Sequence, residues 1–412
     1  MSRLVAIFRL GFLAWLLAAP LGHAEPALSA LARFEPRASA ITDSGGDIAV
    51  RLAISQPVPW RVRVLDHPAR LVVDFREVDW GDVSRMSLSQ SRHIKALRAG
   101  PLRPGWSRLV LELDGPFGVA TAEMRTDQGG AGGAVVHLRL RPESEADFAT
   151  AAARPDPPGW SLPKPAQIGL SKHRQTGDHP LMVVIDPGHG GIDPGAVYGK
   201  EHEADIVLAV ARKLREALLR AGGFDVVMTR DADVFVPLET RVSVAREAGA
   251  DLFLSLHADA IPVGHATGAT VYTLSRKATN RASALLAEHH NRDDLLSGVD
   301  LSGTDDIVAG LLMSMAQADN MPRSDAFARD LVQVIRHAGI RMHDPAHEEA
   351  DFAVIRSPDI PSALLELGFL SSPRDRKRLE DPAWQDRMVA AIVRGIRAWA
   401  VKDAAQAALL RR

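Results

Sequence analysis

Leu181-Met182-Val183-Val184-Ile185-Asp186-Pro187-Gly188-His189-Gly190-Gly191 is a short apolar run that ends in a glycine-rich turn. The run reads as a strand, and the turn leaves His189 at the strand's carboxyl end, where open α/β sheets bind their ligands. A lone histidine in a glycine turn can also be incidental, so its surroundings have to decide.

Downstream, Ile206, Val210, Leu214 and Leu218 recur on one helix face, and Gly222-Gly223 stops that helix. The stretches Phe224 to Met228, Asp251 to Leu256, Gly268 to Leu274 and Ala363 to Leu367 read as further strands. Strands alternating with helices predict an α/β catalytic domain over residues 180–403, with a mostly parallel sheet flanked by helices. Upstream the pattern changes. Residues 30–142 carry short β-type runs, among them Asp47 to Ile54, Arg61 to Leu65, Arg70 to Phe75, Ser107 to Leu113 and Val135 to Leu140, and predict a small all-β sandwich. Residues 143–178, rich in Ala, Pro, Asp and Gly, read as a disordered linker between the two bodies.

At the N-terminus, Arg3 and Arg9 flank a short basic region, Leu10 to Leu21 is almost wholly apolar, and Gly22-His23-Ala24 offers a small residue for cleavage. Residues 1–24 therefore read as a cleaved export signal. Twelve residues interrupted by Gly11 and Pro20 are too short for a stable membrane span, which needs about 20. The 412-residue chain has 49 Lys and Arg against 51 Asp and Glu, so it has no basic excess for phosphates, and nucleic acid is not an expected partner. It has no cysteine, which excludes disulfides, thiolate metal sites and a cysteine nucleophile. Any metal has to sit on His, Asp or Glu.

Such side chains recur at the ends of the expected strands. His257 closes the strand Leu252 to Leu256, at the same sheet edge as His189 if the two strands run parallel. Glu203 opens the helix after the first strand. Its bland reading is an acid that favours a helix N-terminus. Two histidines and a glutamate would leave a fourth tetrahedral position open, the design of a catalytic zinc site. Glu366 stands in the apolar strand Leu364-Leu365-Glu366-Leu367, either as half of a buried ion pair or as a general acid/base beside a metal.

Ile185 to Gly191, Glu203-Ala204-Asp205-Ile206-Val207-Leu208, Ser255-Leu256-His257-Ala258-Asp259 and Leu364 to Leu370 together resemble, in order, the four motifs of the zinc-dependent N-acetylmuramoyl-L-alanine amidases of the cell-separation type, the amidase_3 family. The resemblance runs from about Leu181 to Val401. It implies that His189, Glu203 and His257 bind one Zn2+ and that Glu366 is the catalytic residue. It also implies that the substrate is the amide between N-acetylmuramic acid and L-alanine in peptidoglycan, and that the chain works in the periplasm, enriched at the division septum. Arg230 and Arg241 are expected to form structural ion pairs, and Asp259 to support the site without ligating. The N-terminal β region is similar to the AMIN-like domain that directs such amidases to peptidoglycan at the septum.

Between Leu274 and a helix expected near Ser324 lie about fifty residues, far more than the 2 to 6 usual in an α/β connection. This insert, residues 276–320, holds two expected helical runs, Arg281 to Leu296 and Thr304 to Met315. In the resembled family a segment here is a self-inhibitory helix displaced by a LytM-domain activator protein, which makes Glu288 or His290 the expected autoinhibitory ligand. Two other readings compete with the amidase: a non-catalytic peptidoglycan-binding protein, and another periplasmic zinc peptidase or deacetylase.

Overall fold

The computed structural model describes residues 32–410 except 77, 82, 84–87, 104, 127–132, 156–173, 261–265, 297–306 and 358. The expected export signal, residues 1–24, and residues 156–173 of the expected linker lie outside the described residues.

The N-terminal body is a sandwich of two four-stranded antiparallel sheets. Its strands are β1 (Ala40–Ser44), β2 (Asp47–Ile54), β3 (Trp60–Leu65), β4 (Arg70–Arg76), β5 (Ile94–Arg103), β6 (Trp106–Leu113), β7 (Phe117–Arg125) and β8 (Ala134–Pro142). One sheet has the order β1-β2-β8-β7 and the other β3-β4-β6-β5. The period of two decides what lies between them: Ile48, Val50 and Leu52 face Leu71, Val73, Phe75, Leu109 and Leu111 across one core.

The second sheet is buried on its outer face too, which explains the nearly unbroken apolar run in β4. Val72 and Val110 point away from the sandwich core and pack, with Leu65, Leu102 and Trp106, on Ile192 and Phe235 of the C-terminal body. On that face Asp74 receives Arg108 Nε at 2.5 Å and Arg61 Nε at 2.8 Å from the two flanking strands. The linker begins later than the composition suggests. Glu145–Ala152 is a helix, α1, capped by Ser144, whose hydroxyl accepts the Asp147 N–H at 3.1 Å. Phe148 and Ala152 bury themselves in the sandwich core, and that anchorage orders an alanine-rich segment that composition alone would leave disordered.

The C-terminal body contains β9 (Leu181–Pro187), α2 (Glu203–Ala221), β10 (Phe224–Met228), α3 (Leu238–Glu247), β11 (Leu252–His257), β12 (Ala269–Leu274), α4 (Arg281–Leu296), α5 (Ile307–His337), β13 (Met342–Ala350), β14 (Ser362–Glu366), α6 (Pro373–Leu379) and α7 (Pro382–Leu410). The sheet order is β10-β9-β11-β14-β12-β13, parallel at every pairing except β12 with β14. Val183, Ile185 and Leu254 face α2, α5 and α7, while Val184, Phe253 and Leu364 face α3 and α4. Edge strand β13 has too few apolar residues to read as a strand, and the edge position accommodates its Pro345. The helix expected near Ser324 and the run expected from Thr304 to Met315 are one helix, α5, which continues through Pro322; Thr304 itself lies outside the described residues. Its later turns supply the apolar stripe Phe327, Ala328, Leu331 and Ile335 that packs on the sheet.

Burial opposes the Asp74 charge, but Arg108 and Arg61 hold its carboxyl below the usual value of 3.8. Its contribution to stability is therefore complete above that pH and lost as the pH falls through the lower folded value. Arg108→Met, which leaves the buried carboxylate with Arg61 as its one remaining guanidinium partner, is expected to cost up to about 3–5 kcal/mol in urea unfolding of the full chain at pH 7. The loss should shrink in acid; an equal loss at both pH values would refute the assignment.

Candidate active site

The site grows from Asp186, the last residue but one of β9. Its carboxylate is fully buried and accepts hydrogen bonds from Thr229 Oγ1 at 2.6 Å, Ser255 Oγ at 2.6 Å and Arg241 Nη1 at 2.7 Å. Burial alone would favour the protonated acid, but Arg241 and the two hydroxyls hold it below the usual carboxylate range. Arg241 forms the expected ion pair and also donates to the carbonyls of Pro187 and His189. Arg230 differs from expectation: its hydrogen bonds go to the carbonyl oxygens of Pro187, Gly188, Ala204 and Ala232. The two guanidiniums thus hold the backbone of the turn that carries His189.

That turn is tight. His189 has φ +56°, unusual for a residue with a side chain, and Gly190 and Gly191 follow at +122° and +63°. His189 Nδ1 lies 2.7 Å from Asp193 Oδ2, so a carboxylate four residues on orients the ring. Nothing in the expected motifs singled out Asp193; its spacing from His189 in a glycine turn was the available signal.

The other groups arrive by strand register. Pro187 is opposite Leu256 and His257 opposite Glu366, so the ends of β9, β11 and β14 bring His189, His257 and Glu366 together. Glu203, the first residue of α2, has both carboxylate oxygens fixed by backbone N–H groups, Ala258 to Oε1 at 2.8 Å and Ala196 to Oε2 at 2.9 Å. Oε1 also lies 3.3 Å from His189 Nε2 and 3.1 Å from His257 Nδ1. The four residues expected to act together do converge.

Of the two insert candidates, α4 brings in His290 and leaves Glu288 exposed to solvent. Helix periodicity separates them: Ser283, Leu286, Ala287 and His290 share the buried face, and Glu288 falls off it. The His290 ring centre is 4.3 Å from that of His257 and 5.4 Å from that of His189. Its Nε2 is 3.2 Å from Asp259 Oδ2 and 3.8 Å from Glu366 Oε1. Asn291, which the sequence reading passed over, pins the helix by donating to the Asp351 carbonyl and accepting from the Ala353 N–H, both at 2.7 Å.

The electrostatics suit a cation. Burial opposes a proton on His189, but Glu203 and Asp193 raise its pKa well above the usual value. Burial and then the charge of His290 push His257 down to about 4. Burial, with Glu203 and Asp259, pushes Glu366 well above the usual carboxylate range. Among the described residues, ligand nitrogens of His189, His257 and His290 lie within 4.8 Å of one another and could hold a metal ion. His290 Nε2, Asp259 Oδ2 and Glu366 Oε1 are buried around this point without a hydrogen-bond partner, a donor set that suits a bound cation. With His189 5% and His257 4% exposed, α4 closes the site.

Comparison with known proteins agrees. Residues 183–398 match the family model described as N-acetylmuramoyl-L-alanine amidase, and residues 39–136 match the AMIN domain. The chain is 32% identical over 362 residues to the N-acetylmuramoyl-L-alanine amidase AmiC of Escherichia coli O6:H1, covering 85% of this chain and 86% of that one. It is 37% identical over 240 residues to AmiA of Salmonella typhimurium, covering 58% and 79% respectively. The catalytic domain of CwlV from Paenibacillus polymyxa is similar at 28% identity, covering 53% of this chain and 97% of that one, with a TM-score of 0.39.

Gly188 offers a test of the geometry that needs no substrate. A Cβ there would lie 2.1 Å from His257 Cε1, so Gly188→Ala must displace the imidazole. Metal retained after dialysis, measured by mass spectrometry of the ions, is expected to fall roughly tenfold or more. Full retention would show that His257 is not a ligand.

Proposed function

This chain belongs to the N-acetylmuramoyl-L-alanine amidases, and on that premise we propose that it uses zinc at His189, Glu203 and His257, with Glu366 as catalytic acid/base, and that α4 holds it inactive at rest. It hydrolyses the amide bond between N-acetylmuramic acid and L-alanine in peptidoglycan. The observation that carries the zinc reading is the convergence of two buried imidazoles and a buried carboxylate at one sheet edge, with Glu366 beside them.

Zinc, when bound, supplies a Lewis acid that polarises the scissile carbonyl and makes water a better nucleophile. The protein's own groups account for the rest. Asp193 at Nδ1 leaves His189 Nε2 to face inward, and the N–H groups of Ala258 and Ala196 hold Glu203 in place without a counter-charge from solvent. The Asp259 N–H donates to Glu366 Oε2 at 3.0 Å, which leaves Oε1 turned into the site. Glu366 accepts the proton of the attacking water there and passes it to the departing L-alanine nitrogen. Its raised proton affinity suits both steps, because an amide nitrogen leaves only once protonated.

His290 supports the reading of α4 as a lock, since its ring centre lies 4.3 Å from that of His257 and its ligand nitrogen joins those of His189 and His257 within 4.8 Å, where it would compete for an open metal position. A LytM-domain activator would relieve the block by drawing α4 away. The export signal read at residues 1–24 and the AMIN domain support action in the periplasm at peptidoglycan of the division septum.

Two experiments test these assignments. Purified sacculi digested with the mature chain should yield new L-alanine amino termini. Glu366→Ala should reduce the yield by roughly 10²- to 10⁴-fold, and a chelator should abolish it. Soluble products without those termini would refute the reaction. For the lock, His290→Ala should raise basal activity several-fold while the solvent-facing Glu288→Ala leaves it unchanged. Equal activity in His290→Ala and the parent would remove His290 from the mechanism.

A further inference from the structure

The turn that carries His189 is held from outside its own domain. Ile192, at its tip, is 1% exposed because it inserts among Leu65, Val72, Leu102, Trp106 and Val110 of the sandwich's outer face. Its N–H donates to the Pro101 carbonyl at 2.8 Å. The approach is close enough that a Cβ on Gly191 would lie 2.1 Å from the Pro101 oxygen, and one on Gly100 would lie 2.9 Å from Ile192 Cα. From the same strand, β5, Arg98 stands opposite Val110 on the docking face and reaches Asp193 Oδ1 at 2.5 Å. The other oxygen of Asp193 is the one that meets His189 Nδ1 at 2.7 Å. The Asp193 side chain is 3% exposed, so water has little part in this chain of contacts.

We propose that Arg98 is a positioning residue for the metal centre: it fixes the Asp193 carboxylate that fixes His189, so the N-terminal domain completes the site of the catalytic domain. This rests on the reading of His189 as a zinc ligand. A carboxylate can turn about its terminal torsion and offer either oxygen, or neither, to a neighbouring imidazole. With a guanidinium on Oδ1, Oδ2 is held toward Nδ1, which keeps the proton there and leaves the Nε2 lone pair for the metal. The demand is acute at His189, whose left-handed backbone leaves it dependent on such ties. Removal of Arg98 would leave Asp193 with the Gly195 N–H, at 3.2 Å, as a competing donor that draws Oδ1 without fixing the plane of the group.

The test uses the full chain and zinc alone, with the zinc dissociation constant read by competition against a chromophoric chelator and the His189 tautomer by nitrogen-15 NMR of labelled histidine. Arg98→Ala should weaken zinc binding about tenfold and shift the Nδ1 resonance of His189. Arg98→Lys, which keeps the charge, should recover most of the affinity. Arg139→Ala, which removes a half-exposed arginine from the other sheet, should match the parent and controls for charge. If Arg98→Ala fails to fold, Arg98→Gln keeps the volume of the side chain and must bind zinc more weakly than Arg98→Lys. Parent-like affinity in Arg98→Ala or Arg98→Gln, in a background where the parent binds zinc, would overturn the positioning role alone. A parent that does not bind zinc would overturn the zinc reading and this inference with it.

Discussion

Asp186 carries its charge in a fully buried position, and the groups that make this possible come from separate elements: Thr229 just after β10, Ser255 in β11 and Arg241 in α3. A buried carboxylate with one partner missing is costly, so all of these elements must be in register together. His189 leaves the sheet three residues beyond Asp186 and His257 two beyond Ser255, so the distance between the imidazoles follows from the packing around this one carboxylate. Arg241 carries the constraint further, since the same guanidinium holds the carbonyls of Pro187 and His189. The chemistry of the site thus depends on a charge that never meets the substrate.

Much of this was legible in the sequence because strand ends and glycine turns have local signatures. The run Leu181 to Gly191 announced a strand and a turn, and the spacing of Ile206, Val210, Leu214 and Leu218 announced a helix behind it. The structure brings His189, Glu203, His257 and Glu366 to one sheet edge, as the motifs implied. What escaped has a physical reason in each case. β13 is an edge strand and needs no apolar run. α1 is ordered by the burial of Phe148 in a core formed by distant strands, which composition within residues 143–155 cannot report. The partnership of Arg98 with Asp193 spans 95 residues and two domains, and no local period encodes it.

The difference between Glu288 and His290 shows how a small angular offset decides which side chain faces the site. Both lie in one turn of α4, and the acid fits more simply with what a metal would attract. The helix, however, buries the face defined by Ser283, Leu286 and Ala287, and only His290 continues it. Side-chain chemistry proposed the candidates, and the apolar stripe chose between them.

The same stripe bears on how a lock of this kind could be released. Among the described residues, α4 contributes Leu286 and Ala287 to the buried apolar cluster on its side of the sheet, and α5 and α7 supply more to the opposite one. Among the described residues it is also held by polar contacts, Asn280 and Ser283 to Glu348 and Asn291 to the backbone at Asp351 and Ala353, and by the His290 ring against Phe352. Polar anchors exchange for water at a small net cost, about 0.5–1.5 kcal/mol each. Removing Leu286 from its contacts costs about 1.5–3 kcal/mol more. If α4 is displaced as proposed, these four hydrogen bonds and the Leu286 contacts are lost, about 3.5–9 kcal/mol in all among the described residues, which the binding of a partner to the displaced helix has to supply. On the proposed reading of α4 as a lock, the Asp186 network and the contacts of the docked sandwich lie on other elements, so they can hold the His189 turn in place when α4 moves.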